Sequence, residues 1–217
     1  SVDITSFIAV NEGTEPLVAT IIVTPTFTNE GVSCDGPTES FTITVNPTAQ
    51  VDIPVDQVVC NAEAISVLFT TENTVGDTAY AWTSDIEIGA GLTGAGDMSF
   101  TATNEGTDPL VATIIVTPTF TNEGVSCDGP TESFTITVNP TAQVDITADQ
   151  VVCDLNTTSV LFTTENTVGV TAYTWTSDIE IGAGLTGAGD MSFTAANEGT
   201  DPLVATIIVT PTFTNEG

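Results

Sequence analysis

Short segments of alternating apolar and polar residues recur along the chain and predict strands. Residues 134–138, with the sequence Phe-Thr-Ile-Thr-Val, alternate with a period of two, and residues 98–100 and 80–82 follow the same pattern. This period is typical of a strand with one buried face. Residues 110–120 are almost continuously apolar and rich in β-branched side chains, so we expect a central strand that is covered on both faces.

Turn-forming residues separate these segments. Asn-Glu-Gly and Cys-Asp-Gly-Pro sequences interrupt the apolar pattern, the latter at 127–130, and a glycine-rich run at 89–96 predicts a flexible loop between strands. The remaining predicted strands are residues 67–69 and a broken first strand at 51–53 and 57–59. No segment has the 3.6-residue period of a helix, and the sequence predicts an all-β protein.

The pattern repeats at a spacing of 93 residues. Cys34 recurs as Cys127, and Trp82 recurs as Trp175. Segments 32–124 and 125–217 differ at only ten positions, which are 54, 55, 61–65, 77, 81 and 103. Such near-identity is typical of a tandem array whose copies act together, and enzymes rarely show it.

About seven short strands in about 93 residues, with a tryptophan on the third, predict a tandem immunoglobulin-like β-sandwich. The Asn-Pro-Thr sequence after each closing strand sets the boundaries. Residues 1–47 hold the closing strands of a preceding domain, 48–140 form a complete domain, and 141–217 form a domain without its last strand. We call these segments units 1, 2 and 3. We expect the last strand of unit 3 to come from a continuing chain or from a neighbouring one, because its absence exposes an apolar edge.

The composition of charged residues excludes several classes of function. The 217 residues include 29 Asp and Glu and no Lys, Arg or His, for a net charge of −29. Without cations the chain cannot neutralise phosphates, so nucleic-acid binding through a basic surface is excluded, as are histidine-based catalytic triads and histidine-ligated metal sites. A hydrophobic fraction of 41% nevertheless supports packed cores. No apolar run is long enough to span a membrane.

Several motifs together resemble the PKD-like tandem repeats of Bacteroidetes cell-surface proteins. The resemblance covers the whole chain and departs from the founding PKD domains, because the tryptophan is followed by Thr-Ser-Asp. It implies a long, secreted, immunoglobulin-like repeat protein of the adhesin type. The motifs are Phe-Thr-Ile-Thr-Val-Asn-Pro-Thr (134–141), Asp-Gln-Val-Val-Cys (149–153), Tyr-Thr-Trp-Thr (173–176), Ser-Phe-Thr-Ala (192–195) and Val-Ala-Thr-Ile-Ile-Val-Thr-Pro-Thr (204–212).

The resemblance also implies a disulfide. Each such repeat carries one cysteine after its first strand and one between its last two strands, here Cys60 and Cys127, and an intradomain bond between them is expected. In an ordinary sandwich these two turns lie at opposite ends, which leaves open a bond between Cys60 and the equivalent of Cys127 in the following domain, or free thiols. Under either bonded arrangement, Cys34 and Cys153 have partners outside this sequence.

Calcium is a candidate cofactor, since it prefers carboxylate oxygens and the chain is rich in them. No EF-hand or nonapeptide calcium motif is present, and a solvated acidic surface that keeps an array soluble is the competing interpretation. The candidate ligands are grouped at the domain junction and around the glycine-rich loop: Asp52, Asp56, Asp85, Glu87, Asp97, Asp145, Asp149, Asp178, Glu180 and Asp190.

The two tryptophans are expected to be core residues. Trp82 and Trp175 lie where a sandwich buries its central tryptophan, and core packing is favoured over a carbohydrate-stacking surface.

These observations predict a non-catalytic segment of a long extracellular surface protein or filament, with structural spacing and cell adhesion as its role. Its partners are copies of itself, and surfaces or glycans are further candidates. The alternative function is an accessory module of a secreted carbohydrate-active enzyme, acting as a glycan-binding domain or spacer.

Overall fold

The computed structural model of the chain describes residues 6–145 and 147–215 and is built from strands. No helix occurs within these ranges, and none of the described residues therefore forms a helix long and apolar enough to cross a membrane. The all-β class predicted from the sequence is confirmed.

Unit 1 consists of two paired β-ribbons. Strand β1 (Leu17–Val23) pairs antiparallel with β4 (Glu39–Val45), and β2 (Thr26–Asn29) pairs antiparallel with β3 (Val32–Asp35). Most of its large apolar side chains are exposed, because no second sheet covers them among the described residues.

Unit 2 contains eight strands in two sheets. The larger sheet has the order β5-β12-β10-β7-β8, with β11 also paired to β10, and the smaller sheet consists of β6 and β9. Strand β5 runs parallel to β12, and the other pairs are antiparallel. The strands are β5 (Gln57–Cys60), β6 (Ala64–Val67), β7 (Asp77–Ser84), β8 (Thr93–Ala95), β9 (Met98–Thr101), β10 (Leu110–Asn122), β11 (Val125–Asp128) and β12 (Glu132–Asn139).

One apolar core fills the space between the two sheets of unit 2, an arrangement that fits a β-sandwich. The small sheet contributes Ile65, Val67 and Met98, and the large sheet contributes alternate residues of its three central strands. Strand β10 pairs with strands on both edges and is central, as its sequence predicts. The prediction that both of its faces are covered was wrong, because it is buried only at every second position from Ala112 to Phe120 and Val111 and Ile115 on the other face are exposed.

Unit 3 repeats this arrangement in part. Strands β14 (Val170–Ser177), β15 (Thr186–Ala188) and β17 (Ile207–Thr214) form a three-stranded sheet, and β13 (Thr157–Val160) pairs with β16 (Met191–Thr194). The equivalent of β5, residues 150–153, is not a strand. Its only partner in unit 2 is β12, and the sequence contains no equivalent of β12 for unit 3.

Three local predictions from the sequence were wrong. The glycine-rich run contains strand β8, whose Gly94 packs against an indole ring, and is not only a loop. Cys127 and Asp128 lie in strand β11 and not in a turn. Residues 51–53 and 68–69 are not in strands, although Val51 and Phe69 belong to the core. Val51 and Phe69 are buried because they pack against the neighbouring sheets, although they form no strand hydrogen bonds of their own.

Candidate functional site: the junction between consecutive units

The chain enters unit 2 through a segment that includes Pro47, Ala49 and Gln50, which we call the entering segment. It packs closely against other residues of unit 2. Pro47 and Ala49 are fully buried. Strand β11 is followed by Gly129, where a Cβ atom would lie 1.9 Å from the carbonyl oxygen of Ala49. Since no side chain fits in that space, glycine at this position allows the entering backbone to pass.

A pair of asparagines joins units 1 and 2. Asn122 donates from Nδ2 to Oδ1 of Asn46 at 3.0 Å, and Asn46 donates to the carbonyl oxygens of Asn122 and Val125 at 3.4 and 3.3 Å. At the next junction, Asn215 donates to Oδ1 of Asn139 at 3.3 Å. The contact therefore recurs one repeat further along the chain.

A second asparagine links the loop after β6 to both the entering segment and the preceding unit. Asn73 accepts at Oδ1 from the backbone N–H of Gln50 at 2.9 Å. Its Nδ2 donates to the carbonyl oxygens of Thr14 and Thr48 at 3.2 and 3.4 Å. One side chain thus ties three chain segments together.

The same arrangement occurs between units 2 and 3. Asn166 accepts from the backbone N–H of Gln143 at 3.0 Å and donates to the carbonyl oxygens of Thr107 and Thr141 at 3.0 and 3.5 Å. Threonine hydroxyls add a contact to a carboxylate at each junction, from Thr74 to Glu15 and from Thr167 to Asp108.

A buried asparagine in unit 2 supports the loop that Asn166 contacts. Asn104 is 2% exposed and donates from Nδ2 to the carbonyl oxygens of Val138 and Asp108 at 2.7 and 2.9 Å. Its Oδ1 accepts from the N–H of Gly106 at 3.0 Å. Because these bonds satisfy a buried amide, they fix the loop that carries Thr107 toward the next unit.

Neutral amides suit a junction in a protein without cations. Ion pairs cannot form between Asp or Glu and any side chain of this sequence, because it contains no Lys, Arg or His. Asparagine both donates and accepts without adding charge, so it joins two acidic units without increasing their repulsion.

The predicted calcium ligands of unit 2 all accept hydrogen bonds from within the unit. Asp56 accepts from the N–H of Thr135 at 2.7 Å, and Asp85 accepts from the N–H of Thr113 at 2.7 Å. The other three act similarly: Asp52 accepts from the hydroxyl of Thr70 at 2.6 Å, Asp97 from the N–H of Phe69 at 2.9 Å, and Glu87 from the N–H groups of Gly89 and Gly91 at 2.7 and 3.0 Å.

Unit 3 uses its carboxylates in the same way. Asp149 is exposed. The partners of the other four are the Thr163 hydroxyl for Asp145, the Thr206 N–H for Asp178, the Gly182 and Gly184 N–H groups for Glu180, and the Phe162 N–H for Asp190. Within residues 6–145 and 147–215, no three acidic or cysteine side chains come together in a group that could hold a metal ion. The structure therefore does not bring the candidate ligands together within these ranges, and calcium binding stays a prediction from the sequence.

Two titratable groups have shifted pKa values. Hydrogen bonds from the backbone N–H groups of Gly184 and Gly182 lower the pKa of the Glu180 carboxyl, because they stabilise its charged form. Burial raises the pKa of the Tyr80 hydroxyl, and the charges of Asp52 and Asp97 raise it further. Both effects favour the protonation states found in the folded protein at neutral pH.

The predicted intradomain disulfide is not formed. Cys34, Cys60, Cys127 and Cys153 are all free in the structure. Cys60 lies opposite Asn139 at one end of the large sheet, whereas Cys127 lies opposite Phe120 at the other end. Ten residues of β10 separate these levels, about 33 Å at the usual rise of a strand, and a disulfide requires Cα atoms less than about 7 Å apart.

Both tryptophans are buried in the cores of their units. Trp82 and Trp175 are each 7% exposed. The six-membered part of each indole lies against a glycine, since a Cβ atom at Gly94 would come 2.1 Å from Cζ2 of Trp82 and one at Gly187 would come 2.2 Å from Cζ2 of Trp175. Neither ring is available to stack on a carbohydrate.

No separate signal in the sequence marks the junction asparagines. Asn46, Asn73 and Asn122 recur in the next repeat, but so does nearly every other residue, and recurrence therefore does not distinguish contact residues. The Asn-Pro-Thr sequence marked the boundary between units without indicating that Asn46 bridges it.

Comparisons with known proteins add no family to these observations. A scan against protein-family models and a search of curated proteins both found no match to this chain. The resemblance to PKD-like repeats consequently stays a prediction that rests on the sequence motifs alone.

Proposed function

We propose that this chain is a non-catalytic structural segment of a long extracellular surface protein or filament, built from tandem immunoglobulin-like units of about 93 residues. Its role is to space and project adhesive parts of the protein at a defined distance. The units are residues 1–47, 48–140 and 141–217, of which the second contains all the strands of one sandwich.

The observation that carries the proposal is the equivalence of the two junctions. The hydrogen bonds of Asn73 recur at Asn166 with partners shifted by one repeat, and the contact between Asn46 and Asn122 recurs between Asn139 and Asn215. Equal junctions place successive units by the same rotation and translation, and repetition of one such step generates a regular array. Domains joined by flexible linkers would not need the same contacts at every junction.

The surface supports a spacer role in a further way. Unit 2 carries 13 carboxylates and no counter-charge, so it repels other units that approach sideways within the Debye length of about 8 Å in physiological salt. Along the array, this repulsion is offset by the amide contacts and the buried Pro47 and Ala49. Consecutive units of one array are therefore held together by the junction contacts, and neighbouring arrays are kept apart by charge repulsion.

The test is the dependence of length on repeat number. Proteins with one, two and three further copies of residues 125–217 added after Gly217 are measured by small-angle X-ray scattering. We expect the maximum dimension to rise by a constant increment per copy, with a cross-section that does not change.

The matched variant carries Asn73→Ala and Asn166→Ala, with the equivalent change in every added copy. It removes the contacts of Asn73 and Asn166 to the preceding unit and keeps those of Asn46 with Asn122 and of Asn139 with Asn215. We expect a shorter and broader distribution of dimensions. A wild-type array that scales as a flexible chain, or one that the variant leaves unchanged, would contradict the proposed spacing role.

A further inference from the structure

Two cysteine positions approach each junction from opposite sides. Cys60 is the last residue of β5 and pairs in register with Asn139 of β12. Asn139 contacts Asn215 of the next unit. The turn after Cys60 is anchored at the same place, because Asn61 donates from its N–H to the carbonyl of Asn139 and from Nδ2 to the hydroxyl of Thr141, both at 2.9 Å. Cys60 therefore lies one strand away from the contact with the following unit.

Cys127 lies on the other side of such a junction. Together with Asn122 and Val125, it lines an open groove of about 150 Å³ whose opposite wall is formed by Thr44 and Asn46 of unit 1. Strand β4 pairs with β1 on one edge and has no partner strand on its other edge among the described residues. In unit 2 the corresponding edge of β12 is occupied by β5.

The two equivalent hairpin cysteines differ in exposure. Cys34 and Cys127 lie in identical Val-Ser-Cys-Asp strands, β3 and β11. Cys34 is exposed and Cys127 is half-buried. Since the local sequences are the same, the difference comes from residues outside the hairpin, and the groove walls of unit 1 are adjacent.

The position of Cys60 and the position of Cys127 can be compared through the repeat. Asn46 and Asn139 are equivalent positions, because they are 93 residues apart. The first borders the groove that contains Cys127, and the second pairs with Cys60. Cys60 thus lies one strand spacing, about 4.8 Å, from Asn139, and the equivalent residue Asn46 lines the same groove as Cys127. Both cysteine positions are therefore beside the same asparagine position of the repeat.

We propose that consecutive units are joined by a disulfide between the Cys60 position of one unit and the Cys127 position of the unit that follows. The two thiols lose two protons and two electrons as the S–S bond forms, and a small-molecule disulfide such as oxidised glutathione accepts them and is reduced to two thiols. The bond needs only the junction geometry, so it does not depend on the adhesive role.

Within this sequence, neither junction holds both cysteines of the proposed pair. Gly217 is equivalent to Gly124, and no equivalent of Cys127 follows unit 2 in the sequence. Cys127 likewise faces a unit whose first strand is not in the sequence. At each of the two junctions only one cysteine of the pair is present.

The test adds the missing cysteine. The full chain is extended after Gly217 by a copy of residues 125–140, which supplies the hairpin and closing strand of unit 3. The extended and original proteins are oxidised in a glutathione redox buffer and cleaved with a glutamate-specific protease, because the chain has no Lys or Arg for trypsin. Disulfide-linked peptides are identified by mass spectrometry without reduction.

We expect one intramolecular link in the extended protein, between Cys60 and the added cysteine, and none in the original chain. Glutamate-specific cleavage releases the same nine-residue peptide around Cys34, Cys127 and the added cysteine, so the link is assigned with serine variants. Cys60→Ser and a serine in place of the added cysteine should each abolish the link, whereas Cys34→Ser and Cys127→Ser should leave it unchanged. A Cys60–Cys127 link, or a Cys60 that stays reduced while the extended protein is folded, would overturn the proposal.

A second experiment needs no extension. Thr44 lines the groove with Cys127, and Thr42 lies two residues further along β4, away from the junction. Thr44→Cys should form a bond with Cys127 under the same oxidation, and Thr42→Cys should form at least tenfold less. Equal cross-linking of the two variants, or none in either, would show that the hairpin cysteine is not held beside the preceding unit.

Discussion

Replacing Gly129 with alanine tests whether the entering segment is held as the structure shows. The added Cβ atom would lie 1.9 Å from the carbonyl oxygen and 2.7 Å from the carbonyl carbon of Ala49. Ordinary contact requires about 3.4 Å or more, so the buried segment would have to move by about 1.5 Å. Both neighbours are backbone atoms, and no rotation of a side chain can relieve the overlap.

The expected cost follows from the burial of that segment. Forcing an extra methyl group into a well-packed site destabilises a domain by about 2–3 kcal/mol. For a domain of this size, that loss lowers the melting temperature by roughly 10–20 °C. Unfolding is followed by tryptophan fluorescence in a Trp175→Phe background, where Trp82 reports on unit 2 alone.

Gly36→Ala is the matched control, since Gly36 occupies the equivalent position in unit 1. Its Cβ atom would meet the ring of Pro25 at 3.0 Å, and that at Gly129 would meet Pro118 at the same distance. Only Gly129 has the Ala49 backbone beside it. We expect Gly36→Ala to change the stability of unit 2 by less than about 0.5 kcal/mol. If Gly129→Ala were equally mild, the packing of the entering segment would be refuted.

Two further predictions concern the core and the turn of the glycine-rich run. Gly94→Ala should displace the indole of Trp82, shift its fluorescence to longer wavelength and destabilise unit 2 by about 2 kcal/mol; unchanged emission would contradict the close approach. The lowered pKa of Glu180 stabilises the fold above the carboxyl's unfolded pKa, and this contribution is lost as the pH falls through the lower folded pKa. Glu180→Gln should therefore reduce the dependence of the stability of unit 3 on pH at acidic pH, and an unchanged dependence would contradict the assignment.

Much of the fold follows from local pattern. Alternation in residues 134–138 and the apolar run at 110–120 sufficed to predict β12 and the central β10. The Cβ atoms of a strand point alternately to its two faces, so burial leaves a direct record in the sequence. The glycine-rich run at 89–96 shows no such alternation of apolar and polar residues. Its strand β8 pairs with β7 and depends on the fit of Gly94 against Trp82.

The candidate site was predicted less well, because it depends on residues distant in sequence. Several of the carboxylates proposed as calcium ligands are near one another along the chain, yet Asp56, Asp85 and Asp97 each accept a hydrogen bond from a backbone N–H group 28 or 79 positions away. Asn73 contacts a residue 59 positions away, and Asn46 contacts one 76 positions away. Local composition contains no information about such partners.

The sequence by itself determined the all-β class, the 93-residue repeat and an acidic surface without any cation. These properties depend on composition and short-range periodicity. Only the tertiary structure decided that Cys60 and Cys127 lie at opposite ends of one sheet, and that neutral asparagines join the units. The physical reason is that strand pairing brings together residues from distant parts of the chain, and the junction is formed only where one unit ends beside the next.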